Sequence, residues 1–282
     1  MDLVINSLTG AFTLAFVITS MFGLGLGLTV REIVKPVANL NLVFRALLAN
    51  FVIVPAVAWA FASLLRLDQD LRSGLLLMGV VAGAPVTLKA TQIARGDVSL
   101  AVGLVTLQVI ATVIYLPLVL PHLIRGIEVN VVALEMPLLL QLFLPLALGL
   151  LMKSRYEEEA AMARPIMGEI ASLSLVALLV VNLVNIGKIA RLAGSGAFAS
   201  VLGVIVLALI TGYLLGGPGP EPRRTVALST GQRNYAAAFV IADESFPGRP
   251  AIMLMLLAAS VVSLVVIMLA AGEIGRQAKA QH

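Results

Sequence analysis

The sequence predicts an all-α integral membrane protein with about nine transmembrane helices. Of its 282 residues, 60% are hydrophobic and only 12% are charged, whereas soluble domains carry about 25% charged residues. A helix that spans a bilayer needs about 20 mostly apolar residues, so this length leaves room for roughly nine or ten spans and no sizeable extramembrane domain. A soluble enzyme is therefore excluded.

Residue usage also excludes several kinds of site chemistry. The chain has no Cys, so it can form no disulfide, thiolate nucleophile or thiolate metal site. Its two histidines, His122 and His282, fall at the edge of a predicted span and at the last residue, which argues against a histidine-rich metal site. The net charge of +4 is the kind expected of topology signals, not of nucleic-acid binding. We expect no cofactor and no nucleic-acid partner.

Apolar runs bounded by charged residues, Gly or Pro predict the nine spans. They cover about residues 4–28, 43–65, 72–94, 98–120, 129–152, 165–187, 195–216, 225–242 and 250–272. Polar connections are predicted at 153–164 (KSRYEEEAAMAR) and 216–224 (GGPGPEPRR). The N-terminal MDLVINSLTG has no basic region before its apolar run, so we expect a retained first span and no cleaved signal peptide.

Lys and Arg are distributed unequally between the two sides of the predicted spans. One side carries eleven of them: Arg31, Lys35, Arg45, Arg95, Lys153, Arg155, Arg164, Arg223, Arg224, Arg276 and Lys279. The other side carries six: Arg66, Arg72, Arg125, Lys188, Arg191 and Arg249. The richer side is expected to be cytoplasmic, which places the C-terminus inside and the N-terminus outside, in a bacterial-type inner membrane.

Two predicted spans contain residues that interrupt a helix. In the third span, Gly83 and Pro85 break the helix because Pro lacks an N–H and clashes with the preceding turn, and Thr87 is expected to cap the next half. In the eighth span, the run STG, which ends at Gly231, interrupts the apolar sequence. Broken helices at membrane depth survive only when they are buried in protein or line a wet cavity.

Broken helices at matching positions are typical of secondary transporters built from two inverted repeats. The breaks predict a first repeat over residues 1–125, with four spans and its opening helix missing, and a second over residues 126–282, with five spans. Lys89 and Arg233 are the two basic residues that fall inside spans, each just beyond a break. A charge at the bilayer centre costs about 2.5–3.5 kcal/mol on insertion scales. Because of this cost, we expect an anionic group to pair with these two cations.

The sequence therefore predicts a site for a small carboxylate or sulfonate in a secondary transporter, whose other partner is the lipid bilayer. The predicted substrate-binding residues are Thr87, Lys89, Gln92, Ser229, Gln232, Arg233 and Asn234. The helix-break residues are Gly83, Pro85 and Gly231, and Asn50 and Glu135 are candidates for an ion or for support of the site. No oligomeric state is predicted.

Structural roles for the same residues stay open. Lys89 could snorkel or pair with Glu135, and the Gly and Pro residues could form simple kinks. Asn50 and Gln108 are of the type that forms hydrogen bonds between helices. The run GLGLG at residues 23–27 is typical of a helix-packing strip. A channel or a ligand sensor is the alternative of another class.

Three segments resemble the bile acid:sodium symporter family: MFGLGLGLTVREIVKPV, AGAPVTLKATQIARGDVSLAV and TVALSTGQRNYAAAFVIA. The resemblance covers most of the chain. It implies two inverted repeats, a panel domain and a core domain, and two broken helices that cross. The nine predicted spans are similar to the family form that lacks the first of ten helices.

The sodium-site pattern of that family is largely replaced in this sequence. Where the family has a Ser-Asn pair, this sequence has Thr87 and Leu88, and where the family has hydroxyl residues on the next helix, it has Ala101 and Val105. Ser229 stands in place of a Glu, and Arg233 stands in place of a Gln. A family Gln on an earlier helix aligns with Asn50. We hypothesise that Arg233, together with Lys89, substitutes for the sodium charge. Transport would then be facilitated, exchange-type or proton-linked; an ordinary sodium symporter with rearranged ligands is the alternative.

Overall fold

A computed structural model describes residues 2–123, 131–184, 187, 190, 192–246 and 248–280. Within these ranges the chain is helical and has no strand. The helices are α1 (Asp2–Gly27), α2 (Val30–Val37), α3 (Leu40–Leu48), α4 (Val54–Leu64), α5 (Gln69–Val80), α6 (Val86–Ile93), α7 (Val98–Leu123), α8 (Val131–Arg155), α9 (Glu157–Val184), α10 (Ala197–Leu215), α11 (Pro220–Gly231), α12 (Tyr235–Ser245) and α13 (Pro250–Ala280). A π-helical turn (Ala49–Ile53) joins α3 to α4. The all-α prediction is confirmed.

Five helical segments of the described chain are long and apolar enough to cross a membrane. They are Gly10–Gly27, Leu40–Leu64, Val98–Leu116, Ala197–Leu215 and Pro250–Ala280. The halves of the two interrupted helices are shorter, with 12 and 8 residues in α5 and α6 and 12 and 11 in α11 and α12. A total of nine spans therefore stays a prediction.

The predicted polar loop at residues 153–164 is wrong in its structure. Tyr156 is the one residue between α8 and α9 that is not helical, and the three glutamates that follow it form the first turn of α9. Acidic side chains there face the positive end of the helix dipole, while Lys153 and Arg155 occupy the last turn of α8 near its negative end. The charge run is exposed, as expected, but both helices extend through it.

Two compact units make up the chain. The first consists of Met1–Val34 with Glu135–Lys188, and the second consists of Lys35–Leu134 with Ile189–His282. Each unit thus combines segments from both halves of the sequence. The predicted repeats, which divide the chain near residue 125, concern internal symmetry and stay a prediction.

Glycines allow close helix packing in the first unit. A Cβ atom at Gly25 would lie 2.8 Å from the Cα of Gly149, and one at Gly23 would lie 3.2 Å from the Cβ of Met167. The ammonium group of Lys153 donates a hydrogen bond to the carbonyl of Gly27 at 3.1 Å. Small residues let helix backbones approach within a membrane, and the GLGLG run has this packing role.

Two polar contacts join helix ends of the second unit. The Arg224 guanidinium donates to the carbonyl of Arg95 at 3.2 Å, and both residues belong to the side predicted to be cytoplasmic. Arg249 lies 3.6 Å from the carboxylate of Asp70, on the side that carries fewer basic residues. The second unit also contains both helix breaks.

Candidate functional site

The first break separates α5 from α6. Residues 81–84 are not helical, and Pro85 is the N-cap of α6. Gly83 has a φ of +86°, and a Cβ atom there would lie 2.8 Å from the backbone nitrogen of Val109. The break thus lies where Gly83 and Pro85 predict it. Thr87 does not cap α6 as predicted, because Pro85 already occupies the N-cap, and the buried Thr87 hydroxyl has no hydrogen-bond partner among the described residues.

The second break lies later than predicted. The helix α11 continues through Gly231, and the non-helical residues are 232–234. Arg233 therefore lies within the break and not beyond it. Asn234 caps α12, because its Oδ1 accepts a hydrogen bond from the backbone N–H of Ala237 at 3.2 Å.

Hydrogen bonds join the two breaks directly. The backbone N–H of Asn234 donates to the carbonyl of Val81 at 3.2 Å, and its Nδ2 donates to the carbonyl of Gly83 at 3.3 Å. The Nη1 group of Arg233 donates to the carbonyl of Gly79, at the end of α5, at 3.3 Å. Backbone groups freed by one break are thus satisfied by the other, as an interrupted helix at membrane depth requires.

The helix that comes after each interrupted helix adds a hydroxyl group to the break. On α7, the Thr112 hydroxyl accepts from the N–H of Ala82 at 3.3 Å and donates to the Ala82 carbonyl at 3.4 Å. On α13, the Ser263 hydroxyl donates to Oε1 of Gln232 at 3.1 Å. A hydroxyl group therefore contacts each break, through the main chain at Ala82 and through the side chain at Gln232.

Arg233 is the charged residue at the centre of this site and is only 1% exposed. Its Nη2 donates to Oδ1 of Asn50 and to the carbonyl of Thr230, both at 2.6 Å, and Nη1 donates to Gly79. Such short bonds from a charged donor are stronger than those between neutral groups. The guanidinium is thus fixed between three chain segments, and each of these acceptors is neutral.

Asn50 is presented to Arg233 by the π-helical turn. Its Nδ2 donates to the hydroxyl of Thr230 at 3.3 Å, which leaves Oδ1 to accept from the guanidinium. The Tyr115 hydroxyl on α7 donates to the carbonyl of Phe51 in the same turn at 2.6 Å. π-Helical turns are rare and occur often at functional sites. The residue pattern gives no signal for this turn.

Ser229 and Gln108 form hydrogen bonds with each other. The amide Nε2 of Gln108 donates to the Ser229 hydroxyl at 2.8 Å, and that hydroxyl lies 3.1 Å from Oε1 of Gln108. Both residues are buried. Gln108 therefore makes the hydrogen bond between helices that its residue type favours.

Four buried polar atoms of the second unit have no hydrogen-bond partner among the described residues. They are Nε of Arg233 and the hydroxyl groups of Tyr235, Thr87 and Thr91. The Tyr235 hydroxyl lies beside Ser263 without forming a hydrogen bond of ordinary geometry. Because an unsatisfied buried donor is costly, each of these atoms is a candidate contact for a bound solute.

Lys89 and Gln92 do not lie on the buried face of α6. On α6 the buried residues include Thr87 and Thr91, whereas Lys89 is only partly buried and Gln92 is exposed. The two residues share a helix face as predicted, but it is not the buried face. The side chain of Glu135 lies outside what the structure describes.

The fold and the joined breaks fit an integral membrane transporter, and comparison with known proteins gives the family. The profile of the Sodium Bile acid symporter family matches residues 14–193, which is more than half of the chain. The chain therefore belongs to this family, whose members are transporters. The matched range includes the first break and ends before the second.

Similar proteins carry transporter names and no enzyme names. The chain is 26% identical over 251 residues to the probable sodium/metabolite cotransporter BASS1 of Arabidopsis thaliana, covering 87% of this chain and 62% of the relative. It is 26% identical to the probable sodium/metabolite cotransporter BASS2 of Oryza sativa, covering 80% and 55%. It is 24% identical to the uncharacterized sodium-dependent transporter YocS of Bacillus subtilis, covering 80% and 72%. The chain thus spans less than two thirds of the two plant relatives.

Proposed function

We propose that this protein is a secondary transporter of a small organic anion, works by alternating access, and is not coupled to sodium at the family's ion sites. The observation that carries the proposal is the buried Arg233 guanidinium, which engages Asn50 and two backbone carbonyls. A bound metal cation would require the same kind of oxygen ligands. Arg233 supplies the positive charge at the site as part of the chain.

The positions that correspond to the family's sodium ligands support this substitution. Leu88, Ala101 and Val105 are buried and offer no side-chain oxygen. Ser229 replaces a carboxylate, and its hydroxyl is engaged with Gln108. Oxygen ligands are therefore few, and a second cation about 4 Å from the guanidinium would be repelled by about 4 kcal/mol at an effective dielectric constant near 20. Lys89, which is partly exposed, contributes less to this effect than Arg233.

The proposed substrate carries a carboxylate or sulfonate group. The buried Nε of Arg233 is a donor left free by the protein's own contacts, and the Tyr235 hydroxyl lies two residues further along the chain. An acidic oxygen can accept from both groups, and hydrogen bonds of an ionised acceptor are strong. Gln232 and Asn234 of the predicted set lie in the same break, Ser229 lies in the last turn of α11, and Thr87 lies in the first turn of α6. A bile acid-like molecule and a short carboxylate both have this chemistry.

The proposed architecture is nine spans in two inverted repeats, with the N-terminus outside and the C-terminus in the cytoplasm. The matching supports of the two breaks, by Thr112 on α7 and Ser263 on α13, favour the repeats. The excess of Lys and Arg on the side of Arg95 and Arg224 favours the orientation. A bacterial-type inner membrane is the proposed location.

An ordinary sodium:organic anion symporter is the second candidate, because the similar proteins are named as sodium-coupled or sodium-dependent. The two candidates differ in uptake by proteoliposomes that contain the purified full chain. Labelled lactate and labelled taurocholate serve as probes of the two substrate types, with sodium or potassium outside. We expect the same saturable uptake in both salts, and steep dependence on sodium would contradict the proposal.

Substitution of Arg233 tests its role in the same assay. Arg233→Gln removes a charged donor worth about 1.5–3 kcal/mol, so uptake should fall by about tenfold or more. Arg155→Gln is the matched control, because Arg155 is exposed at the end of α8 and its substitution should leave uptake unchanged. Flux that never saturates would favour a channel, and anion binding without flux would favour a sensor.

A further inference from the structure

The positive charge at the joined breaks cannot leave the protein. In a cation-coupled transporter the cation arrives with the substrate and dissociates with it. Here the guanidinium of Arg233 belongs to the chain and is bonded to Asn50, Thr230 and Gly79. Arginine also stays protonated in proteins. The site therefore has the same charge whether or not a substrate is bound and whichever side it faces.

The contacts within the described residues do not neutralise this charge. All three hydrogen-bond acceptors of Arg233 are neutral oxygens, and Ser229, four residues earlier, stands where the family pattern has a Glu. A bound monovalent anion would make the site electrically neutral. The loaded site is then an ion pair, whereas the unloaded site is a single buried cation.

Alternating access requires a conformation in which the site is closed to water from both sides. A guanidinium that is held away from water only by neutral oxygens, as Arg233 is here, is less stable than one that is also paired with an anion. The unloaded carrier should therefore pass through the closed conformation more slowly than the loaded carrier. Only the loaded carrier changes readily between the conformations that open to the two sides of the membrane.

We infer that the protein is an anion exchanger, which releases one organic anion and returns across the membrane with another. This inference rests on the proposed function, namely a sodium-independent transporter of organic anions in which Arg233 is the fixed cation. It adds the mode of transport: exchange of one anion for another is fast, and net uptake into vesicles without internal substrate is slow. Exchange between anions of equal charge moves no net charge and is independent of the membrane potential.

The ratio of exchange to net uptake tests the inference. Proteoliposomes that contain the full chain are loaded with unlabelled lactate and taurocholate or with chloride salts alone, and initial uptake of each labelled anion is measured. We expect internal substrate to accelerate uptake by about tenfold or more, since a difference of a few kcal/mol in barrier corresponds to at least this factor. Equal initial rates in the two preparations would overturn the inference.

A matched pair of variants tests the physical cause. Ser229→Glu adds a negative charge near Arg233 and neutralises the unloaded site, so net uptake should rise relative to exchange. The side chain that Ser229→Gln introduces is nearly the same size as that of Glu but carries no charge, so the high ratio of exchange to net uptake should persist. The same ratio in both variants would contradict the charge argument. If neither variant transports, the ratio of exchange to net uptake in the unmodified protein decides whether the inference holds.

The outcomes separate this inference from the proposed function. Uptake that is saturable, independent of sodium and sensitive to Arg233→Gln, but not accelerated by internal substrate, removes exchange and leaves the proposed function intact. Uptake that requires sodium removes both. Absence of uptake of lactate and taurocholate in every preparation contradicts the proposed substrate class and removes the inference with it.

Discussion

Substitution of Gly83 by Ala is a sharp test of the first break. Gly83 has a φ of +86°, and a Cβ atom there would lie 2.7 Å from Cγ2 and 2.8 Å from the backbone nitrogen of Val109 on α7. Gly194 has the same φ of +86°, but nothing lies within 4 Å of the position of its Cβ. An Ala at either position would therefore have the same unfavourable backbone conformation, but only the Ala at position 83 would also clash with a neighbouring residue.

The left-handed conformation costs a residue with a Cβ about 1–2 kcal/mol, so Gly194→Ala should reduce the free energy of unfolding by about that amount. Gly83→Ala should cost a further 1–3 kcal/mol or so, because added atoms in a packed interior force their neighbours apart. Thermal unfolding of the purified variants in detergent, followed by circular dichroism, measures the difference. Equal destabilisation by the two substitutions would show that the first break is not packed against α7 as described.

Two further predictions concern other contacts. Asn50→Ala removes the side-chain acceptor of Arg233 and should reduce the free energy of unfolding by about 1.5–3 kcal/mol, whereas Asn50→Asp keeps an acceptor and should be less harmful in the same unfolding assay. Gly25→Ala should disrupt the first unit, because its Cβ atom would meet the backbone of Gly149, while a Cβ atom at Gly10 would meet nothing within 4 Å, so Gly10→Ala is the matched control. A similar yield of folded protein from both variants would contradict this packing.

The position of the first break could be predicted because its cause is local. Gly83, which has a φ of +86°, and Pro85, which lacks an N–H, lie two residues apart and together interrupt the helix. The second break lies later than the run STG indicates, and one of its contacts comes from a distant part of the chain. The N–H of Asn234 bonds to the carbonyl of Val81, and this partner comes from another part of the chain. The polar run STG resembles a break but is the end of a helix.

Arg233 was identified from the sequence because a buried charge in a membrane is costly, and Lys89 was selected for the same reason. Helical periodicity gives the residues that share a face with each of them, but it does not say which face is buried. Two of the three acceptors of Arg233 lie 154 and 183 residues away in the chain, at Gly79 and Asn50. Asn50 was a candidate, but its place in a π-helical turn has no residue pattern to predict it.

The predicted loop at residues 153–164 shows another limit of residue patterns. A run of three glutamates indicates exposure to solvent, which is correct, but exposure does not distinguish a loop from the first turn of a helix. Acidic residues are in fact favourable at that end of a helix. The charged residues therefore predict that the segment is exposed, but they do not predict its conformation.

Direct binding of labelled sodium to the purified protein is the most direct test of the claim that Arg233 replaces the cation. We predict no saturable binding of ²²Na⁺ to the unmodified chain, because Arg233 engages the available oxygens and repels a second cation. The combined substitution Leu88→Asn, Ser229→Glu and Arg233→Gln restores three positions of the family pattern and should introduce saturable binding. Saturable ²²Na⁺ binding by the unmodified chain that is lost on Asn50→Ala would contradict the account.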